Sequence, residues 1–250
     1  MNNSLNVAWK ELRVYFGSPI AYMIMALFLV VTGFLFVNSL EGAFREASLR
    51  IYLVGESFGG FFGNAINSTF FFLLLGPVLT MRLLAEETKL GTIELLLTAP
   101  IRDYEVVLGK FCGALVFYLI LLAALLLYPL LLQFYGSIDS KLLLCNYLGL
   151  LLVGALYIAV GLFFSSCTKH QVIAVLLSFA LLALMTFASH ALAQLVEGWP
   201  RVLLQQLSIR SHFHDFVRGM LDLNHVVFFL TTTAFFLFVT IKRLEMRRWQ

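Results

Sequence analysis

Hydrophobic residues are concentrated in six long runs, and the segments between the runs carry nearly all of the charged side chains. A helix needs about 20 apolar residues to cross the hydrocarbon core of a bilayer. Because backbone polar groups find no water in lipid, each run is predicted to be a helix. The chain is therefore predicted to be an all-α, polytopic membrane protein with one transmembrane domain over residues 1–250. The six predicted transmembrane helices cover residues 19–39, 59–81, 111–134, 142–166, 171–195 and 223–241.

The segment ahead of the first run has the pattern of an amphipathic helix. Within residues 4–17, apolar side chains recur at i, i+4, i+7 and i+11, and they are Leu5, Trp9, Leu12 and Phe16. That spacing places them on one helical face, and Pro19 then interrupts the helix. The pattern predicts an interfacial helix lying on the inner leaflet. The alternative is a simple extension of the first transmembrane helix.

The long segment at 82–110 is charged but also rich in leucine. It is predicted to contain two helical pieces separated by Ala99–Pro100, with Thr92 capping the first and Asp103 capping the second, which runs through Lys110 into the third transmembrane helix. Glu94 in an opening turn would be favoured by the helix dipole. The residues alone leave two interpretations open: an amphipathic helix resting on the membrane, or a helix that docks a protein.

Residues 197–222 separate the last two runs and predict a helical hairpin at the outer surface. Five of its residues form a candidate lid over an exit path or a candidate face for an extracytoplasmic partner: His212, Phe213, His214, Asp215 and Arg218. A metal site is not expected there, because the two histidines have no i, i+4 spacing and no fourth ligand is nearby.

Small and amide side chains cluster at the outer end of the second run. Gly60, Gly63, Asn64 and Asn67 belong to this cluster. Glycines allow helices to approach closely, whereas amides in lipid need protein or water beside them. Helix packing and a contribution to a polar path are both open interpretations.

The distribution of basic residues predicts the orientation of the chain. With the N-terminus in the cytoplasm, 11 of the 17 Lys and Arg residues fall in inner segments. Cytoplasmic loops carry such an excess, so both termini and the 82–110 segment are predicted to be cytoplasmic.

Several classes of function are poorly supported by the sequence. No Asp, Glu, Lys or Arg lies in the core of a predicted transmembrane helix, which argues against ion coupling within this chain. Gly109–Lys110 lacks the rest of a P-loop, and no catalytic set is present. The chain is therefore not expected to be an enzyme. It is expected to have no catalytic, cofactor-binding or metal-binding residues, and no nucleic-acid partner.

Residues 85–111, AEETKLGTIELLLTAPIRDYEVVLGKF, resemble the signature region of type-2 ABC transporter permeases. The matching features are an acidic pair, a Gly-Thr, a glutamate, a leucine run, a proline turn and a Gly-Lys before the third transmembrane helix. They correspond to Glu86, Glu87, Gly91, Thr92, Glu94, Leu95, Leu96, Leu97, Pro100, Gly109 and Lys110. Residues 207–249 are similar to permeases associated with gliding motility or multi-copper enzyme maturation.

The resemblance implies a permease subunit in the inner (cytoplasmic) membrane that contacts lipid and pairs with a second, identical or homologous permease. It implies two cytoplasmic ABC ATPase subunits, which bind ATP and Mg, and a coupling helix within 82–110 that docks them. The eight coupling residues it implies are Glu86, Glu87, Gly91, Thr92, Glu94, Leu95, Leu96 and Leu97. The expected function is ATP-driven export. The alternative is a mechanotransmitting subunit that drives an extracytoplasmic partner without moving a substrate.

Overall fold

The computed structural model describes residues 2–46, 65–92, 101–133, 140–188 and 198–248, together with Leu192. In this part of the chain the secondary structure is helical, and it contains no strand. The helices, in chain order, are α1 (Asn2–Gly17), α2 (Pro19–Glu46), α3 (Ala65–Thr80), α4 (Ala85–Leu90), α5 (Asp103–Leu125), α6 (Leu127–Gln133), α7 (Ser140–Cys167), α8 (Gln171–Ala183) with a π-helical turn (Leu184–Ala188), α9 (Trp199–Leu207), α10 (Ile209–Val217) and α11 (Leu223–Arg248).

Several of these helices have the length and composition of membrane spans. Among the described residues, three pass on both counts: Asp103–Leu131, which joins α5 and α6, Ser140–Cys167 and Leu223–Arg247. A fourth is added if α1 and α2 are taken together as one broken span. The chain is thus a multi-pass membrane protein. The second and fifth predicted transmembrane helices coincide with α3 and α8 but include residues outside the described part, so the number six stays a prediction.

The helix break before Pro19 lies where the sequence places it. α1 and α2 are bent relative to one another by 73°. Pro19 is the first residue of α2, a position where its missing N–H breaks no helical hydrogen bond. The chain therefore changes direction between α1 and α2.

α7 is the central helix of the bundle. Within its apolar window, 72% of the residues are buried inside the protein, compared with 22% for α11. It packs against α3, α5, α8, α10 and α11. Gly154 allows the ring of Tyr118 on α5 to lie directly on its backbone, and the Tyr118 hydroxyl donates to the Leu150 carbonyl at 2.9 Å. α11 instead turns apolar side chains such as Phe235 and Phe238 outward, as contact with lipid requires.

Candidate coupling site

A serine hydroxyl on α7 fixes the position of the turn that leads into α4. Ser165 Oγ accepts hydrogen bonds from the N–H groups of Leu84 and Ala85, at 3.1 and 3.0 Å. The same hydroxyl donates to the Met81 carbonyl at 3.2 Å. The first N–H groups of a helix have no partner within the helix, and here a buried side chain of α7 supplies it. The start of α4 is therefore held by the centre of the bundle.

α4 is short and acidic at its start. Glu86 and Glu87 lie in its first turn, where the helix dipole favours negative charge. Gly91 ends the helix with a φ of 73°, a left-handed conformation that side chains other than glycine rarely adopt. The chain leaves α4 at Gly91 and enters the predicted coupling helix.

Lys110 on α5 connects three helices. Its Nζ lies 2.7 Å from Glu11 Oε1 on α1 and 2.9 Å from Glu87 Oε1 on α4. The side chain of Lys110 is 2% exposed, that of Glu11 9% and that of Glu87 18%. We call these three residues the lysine tie. A fixed positive charge thus joins α1, α4 and α5 inside the protein.

Two glycines of α5 let α1 approach closely enough to form the lysine tie. A Cβ on Gly109 would lie 2.7 Å from Val7 Cβ, and one on Gly113 would lie 2.9 Å from Glu11 Cβ. Because both glycines are on the face of α5 that also carries Lys110, the close approach places Glu11 beside the ammonium group. This use of a GxxxG pair at a helix contact is the packing role that such pairs usually have.

The lysine tie contains two carboxylates and one ammonium group. Glu87 Oε2 is buried and has no hydrogen-bond partner in the described part of the chain. Arg82 pairs with the neighbouring Glu86, at 3.7 Å from Arg82 Nε to Glu86 Oε2. Lys110 contacts both carboxylates of the tie, and a buried charge without compensation is strongly unfavourable.

Aromatic contacts add to the hold on α1. The Tyr15 hydroxyl donates to the Leu79 carbonyl near the end of α3 at 2.6 Å. The Tyr15 ring stacks on Phe117 of α5, with 5.0 Å between ring centroids. α1 is thus bound to α3 and α5 by its polar and aromatic residues.

A cavity of about 650 Å³ opens beside the lysine tie. Its walls come from α1, the start of α2, the end of α3 and α4, and its lining includes Lys10, Glu11, Arg82, Glu87 and Leu90. The cavity gives the carboxylates and the end of α4 room for side chains from outside this chain.

The C-terminal helix contacts α4 directly. Arg247 Nη1 on α11 donates to Thr88 Oγ1 at 2.9 Å. α4 is therefore held from three directions: by Ser165, by Lys110 and by Arg247.

The predicted coupling residues are only partly within the described chain. Glu87 belongs to the lysine tie, Glu86 lies beside Arg82, and Thr92 Oγ1 is 3.4 Å from the Glu87 carbonyl. Gly91 closes α4. The remaining four lie outside the described residues, and they are Glu94, Leu95, Leu96 and Leu97.

One predicted cap is wrong. Asp103 is the first residue of α5 rather than its cap, and Arg102 occupies the capping position. Glu105 Oε2 accepts a hydrogen bond from the Arg102 N–H at 3.0 Å. A glutamate three residues into the helix satisfies that N–H because its longer side chain reaches back over the first turn.

The predicted apolar face of α1 is divided along the helix. Leu5 and Trp9 are 64% and 60% exposed, whereas Leu12 packs against the hydrophobic core and the Phe16 ring lies 5.7 Å from that of Phe117 on α5. Val7, Ala8 and Glu11 face α5. The sequence analysis did not single out Glu11, because its charge placed it on the polar side of the helix. The sequence feature that would have indicated Glu11 is Lys110 at the start of an apolar run, because a lysine in that position needs a carboxylate partner.

At the other end of α11, the outer hairpin residues form a second polar group. His212 Nδ1 lies 2.6 Å from His225 Nδ1, and His225 Nε2 lies 2.6 Å from Asp215 Oδ2. His212 Nε2 is 2.9 Å from the Gln206 carbonyl. The sequence analysis missed His225, which stands in the first turn of α11. We call His212 and His225 the histidine pair, and Asp215 is its carboxylate.

The other predicted outer residues have separate surroundings. Phe213 packs against Gly149 of α7 together with the buried Phe216. His214 is 54% exposed and its Nδ1 lies 3.9 Å from Asp215 Oδ1, while Arg218 is exposed at the end of α10. Burial of Phe216 anchors α10 on the bundle.

The predicted polar path lies at the edge of the described chain. Asn67 is in α3, where only its backbone is described. Gly60, Gly63 and Asn64 lie outside the described residues, and their role stays a prediction.

Comparison with known proteins gives one family match. The family model described as ABC-2 family transporter protein matches residues 5–241. The match therefore covers every residue of the lysine tie and the whole outer hairpin. No curated protein matches the sequence.

Proposed function

The chain belongs to the ABC-2 family of transporter proteins and is a permease subunit of an ABC transporter, and we propose that it serves an exporter driven through residues 82–110 by a separate cytoplasmic ATPase. ABC-2 permeases generally work with an ATPase subunit. The observation that carries the proposal is the lysine tie, in which Lys110 joins α4 to α1 and α5 through Glu87 and Glu11.

The lysine tie suits a coupling role because it makes α4 part of a rigid unit. A force on the coupling helix reaches α4 through Gly91, then α1 and α5 through Lys110 and α7 through Ser165. An isolated surface helix would instead yield locally. Leu90 is 67% exposed at the end of α4, next to the predicted docking residues, and supports an apolar contact with a partner there.

The assembly we propose has two copies of this permease, or one copy and a homologue, above two ATPase subunits that hold ATP and Mg. Both termini and residues 82–110 face the cytoplasm, and the membrane is the inner one. The basic residues of the C-terminal end of α11 support this orientation, because basic residues concentrate on the cytoplasmic side. Assignment to the gliding-motility or multi-copper-enzyme subgroup stays a prediction, since the match is to the family as a whole.

The proposal is tested by breaking the predicted docking surface. We expect the pair Leu95→Asp with Leu96→Asp, and separately Glu94→Lys, to insert normally but to lose the co-purifying ATPase. Loss of a docking anchor costs about 2 kcal/mol or more at a protein interface, which is about a thirtyfold loss in affinity. The measurement is the yield of bound ATPase, identified by mass spectrometry, and its ATP turnover in nanodiscs.

A matched control is Lys169→Asp, which changes charge at an exposed residue between α7 and α8. This variant should keep the ATPase. Full binding and turnover in both docking variants would show that residues 94–96 do not dock an ATPase.

A second candidate function is mechanical transmission to an extracytoplasmic partner without transport. The observation that favours it is α11, which contacts α4 through Arg247 and the outer hairpin through His225. Crosslinking probes at Arg218 distinguish the two functions. A lid would crosslink within the permease pair, whereas a partner face would crosslink to a separate external protein.

A further inference from the structure

The outer hairpin is joined to α11 by an unbroken chain of hydrogen bonds. The chain runs from the Gln206 carbonyl to His212, then to His225 and finally to Asp215. His212 also stacks on Phe228 of α11, with 4.0 Å between ring centroids. Two polar contacts join α10 to α11 here: the contact between the two Nδ1 atoms, and the contact between Asp215 and His225.

One end of the chain fixes the tautomer of His212. The Gln206 backbone carbonyl only accepts hydrogen bonds, so His212 donates its Nε2 proton to it. A neutral His212 then has an unprotonated Nδ1, which accepts the Nδ1 proton of His225. The Nδ1–Nδ1 bond therefore depends on His212 being neutral.

A further proton breaks this arrangement. If His212 becomes a cation, both Nδ1 atoms carry protons and two donors face one another across 2.6 Å. The Nδ1–Nδ1 bond is then lost, while the bonds to Gln206 and Asp215 survive. One of the two polar links between α10 and α11 therefore opens.

The direction of the His212 titration agrees with this geometry. Burial lowers the pKa of His212 below its ordinary value, and the neighbouring His225 lowers it further. When folding lowers the pKa of a histidine, the folded state is favoured at pH values above the unfolded-state pKa of about 6.5. This stabilisation is lost as the pH falls through the pKa of the folded state. The link is therefore intact near neutral pH and opens in acid.

The charged groups around the pair come from three elements. On α10 they are Asp215, the exposed His214, and the arginines at its two ends, Arg210 and Arg218. Ahead of α11 stands Asp222, which accepts from the Asn224 N–H. The face of α7 that packs on α10 contributes the Cys145 thiol near Gly219. Asp215 lies within hydrogen-bond distance of the pair, at His225 Nε2.

α11 gives this link a path across the membrane. It runs from Leu223 to Arg248 without glycine or proline, and the 22 residues between His225 and Arg247 correspond to about 33 Å of helix. At its inner end Arg247 donates to Thr88 of α4. A shift of the outer end of α11 therefore reaches the coupling segment through a single helix.

We propose that the histidine pair is a proton-operated latch: when the external side is acidified, His212 on α10 separates from His225 on α11 and the outer hairpin is held less tightly. Resting on the function proposed above, we further infer that α11 transmits this loosening to α4, so that external acid changes ATP turnover.

The latch is tested first without any ATPase. Amide hydrogen exchange of residues 209–217 is measured in nanodiscs from pH 7.5 to 5.5, with rates normalised to an unstructured peptide of the same sequence. We expect protection to fall by about tenfold across this range, the factor that one pH unit of linkage supplies. His212→Gln should make the protection independent of pH.

Two further variants identify the groups involved. Asp215→Asn removes the charge that stabilises a protonated ring, so the fall in protection should move to a pH lower by about one unit or more. His170→Gln is the matched control, because it removes an exposed histidine between α7 and α8, and it should keep the profile of the natural protein. A flat profile in the natural protein, or equal loss of the response in His170→Gln, overturns the latch.

Transmission through α11 is tested separately with the ATPase bound. ATP turnover of the natural complex and of the His212→Gln complex is compared over the same pH range. A pH response present only in the natural complex supports transmission. Identical responses in both complexes overturn it and leave the latch to be judged by exchange alone, whereas failure of any ATPase to bind contradicts the proposed function and not the latch.

Discussion

The lysine tie and the histidine pair lie at opposite ends of α11 and use charge in different ways. The lysine tie joins the buried ammonium group of Lys110 to carboxylates on two other helices. The histidine pair is partly exposed, and burial lowers the pKa of His212. The first cluster is a structural link between three helices, whereas the second contains a histidine, the residue type whose charge most readily changes with pH. In the function proposed above, the first cluster carries force between helices and the second is where a signal enters.

The largest expected difference between the two ends of α11 is in their accessibility to a reagent applied outside the cell, which should be all or none. Single cysteines at Lys89 and Arg243, in a background without the three native cysteines, should resist an impermeant thiol reagent applied to intact cells. Cysteines at Val202 and Leu223 should react, because both residues are exposed and lie on the side that is predicted to be external. Ser208 is buried and would be a poor probe. The reverse labelling pattern would place the histidine pair in the cytoplasm.

Removing the centre of the lysine tie should have the largest effect on stability. Lys110→Met leaves Glu11 and Glu87 without compensation, and breaking a buried ion pair costs about 3–5 kcal/mol. Denaturant unfolding in mild detergent measures the loss. Adding Glu11→Gln and Glu87→Gln to Lys110→Met should recover most of it, and the surface control Lys169→Met should stay within about 0.5 kcal/mol. Equal stability of the Lys110 and Lys169 variants would show that the tie is not structural.

Widening the contact between α1 and α5 should have a smaller effect. Gly109→Ala places a Cβ 2.7 Å from Val7 Cβ and 2.8 Å from the Ser4 carbonyl, so the α1 backbone must move away. Overpacking of this kind costs about 1–3 kcal/mol. Gly17→Ala is the control, since a Cβ there meets nothing within 4 Å. Unfolding midpoints and protease protection of α1 distinguish the two variants, and an unchanged Gly109→Ala protein would argue against close packing.

The contact between α11 and α4 should have the smallest energetic effect. Arg247→Met or Thr88→Ala removes one partly buried hydrogen bond, which is worth about 0.5–1.5 kcal/mol. A double-mutant cycle should give a coupling energy of this size, whereas pairing Thr88→Ala with Arg243→Met should give none. Additive effects of Thr88→Ala and Arg247→Met would exclude Arg247 as the inner end of the transmission path.

The helical character and several helix positions follow from the sequence because they depend on local patterns. The apolar run that predicted the fourth transmembrane helix coincides with α7, and the break at Pro19 is where α1 ends. The role of Gly91, by contrast, did not follow from a local sequence pattern. The resemblance marked it as part of a signature, but its left-handed conformation at the end of α4 shows that it terminates a helix. The sequence analysis placed no helix over 85–90, because six residues are too few for a periodic pattern.

The partners within the two clusters could not be predicted from local patterns. Glu11 and Lys110 are 99 residues apart in the chain, and their meeting depends on two glycines that bring α1 onto α5. His225 looked like part of an apolar helix, and it becomes a partner of His212 only because the chain turns at Gly219. Charged residues near the ends of apolar runs therefore need their three-dimensional neighbours before a role can be assigned.

The three hydrogen bonds of Ser165 have a consequence for how α4 can move. They tie the 81–84 turn to the most buried helix of the bundle and leave no slack between α4 and its support. We therefore expect α4 and α7 to move together when α4 is displaced, with α7 tilting about its packed middle, where Tyr118 lies on Gly154.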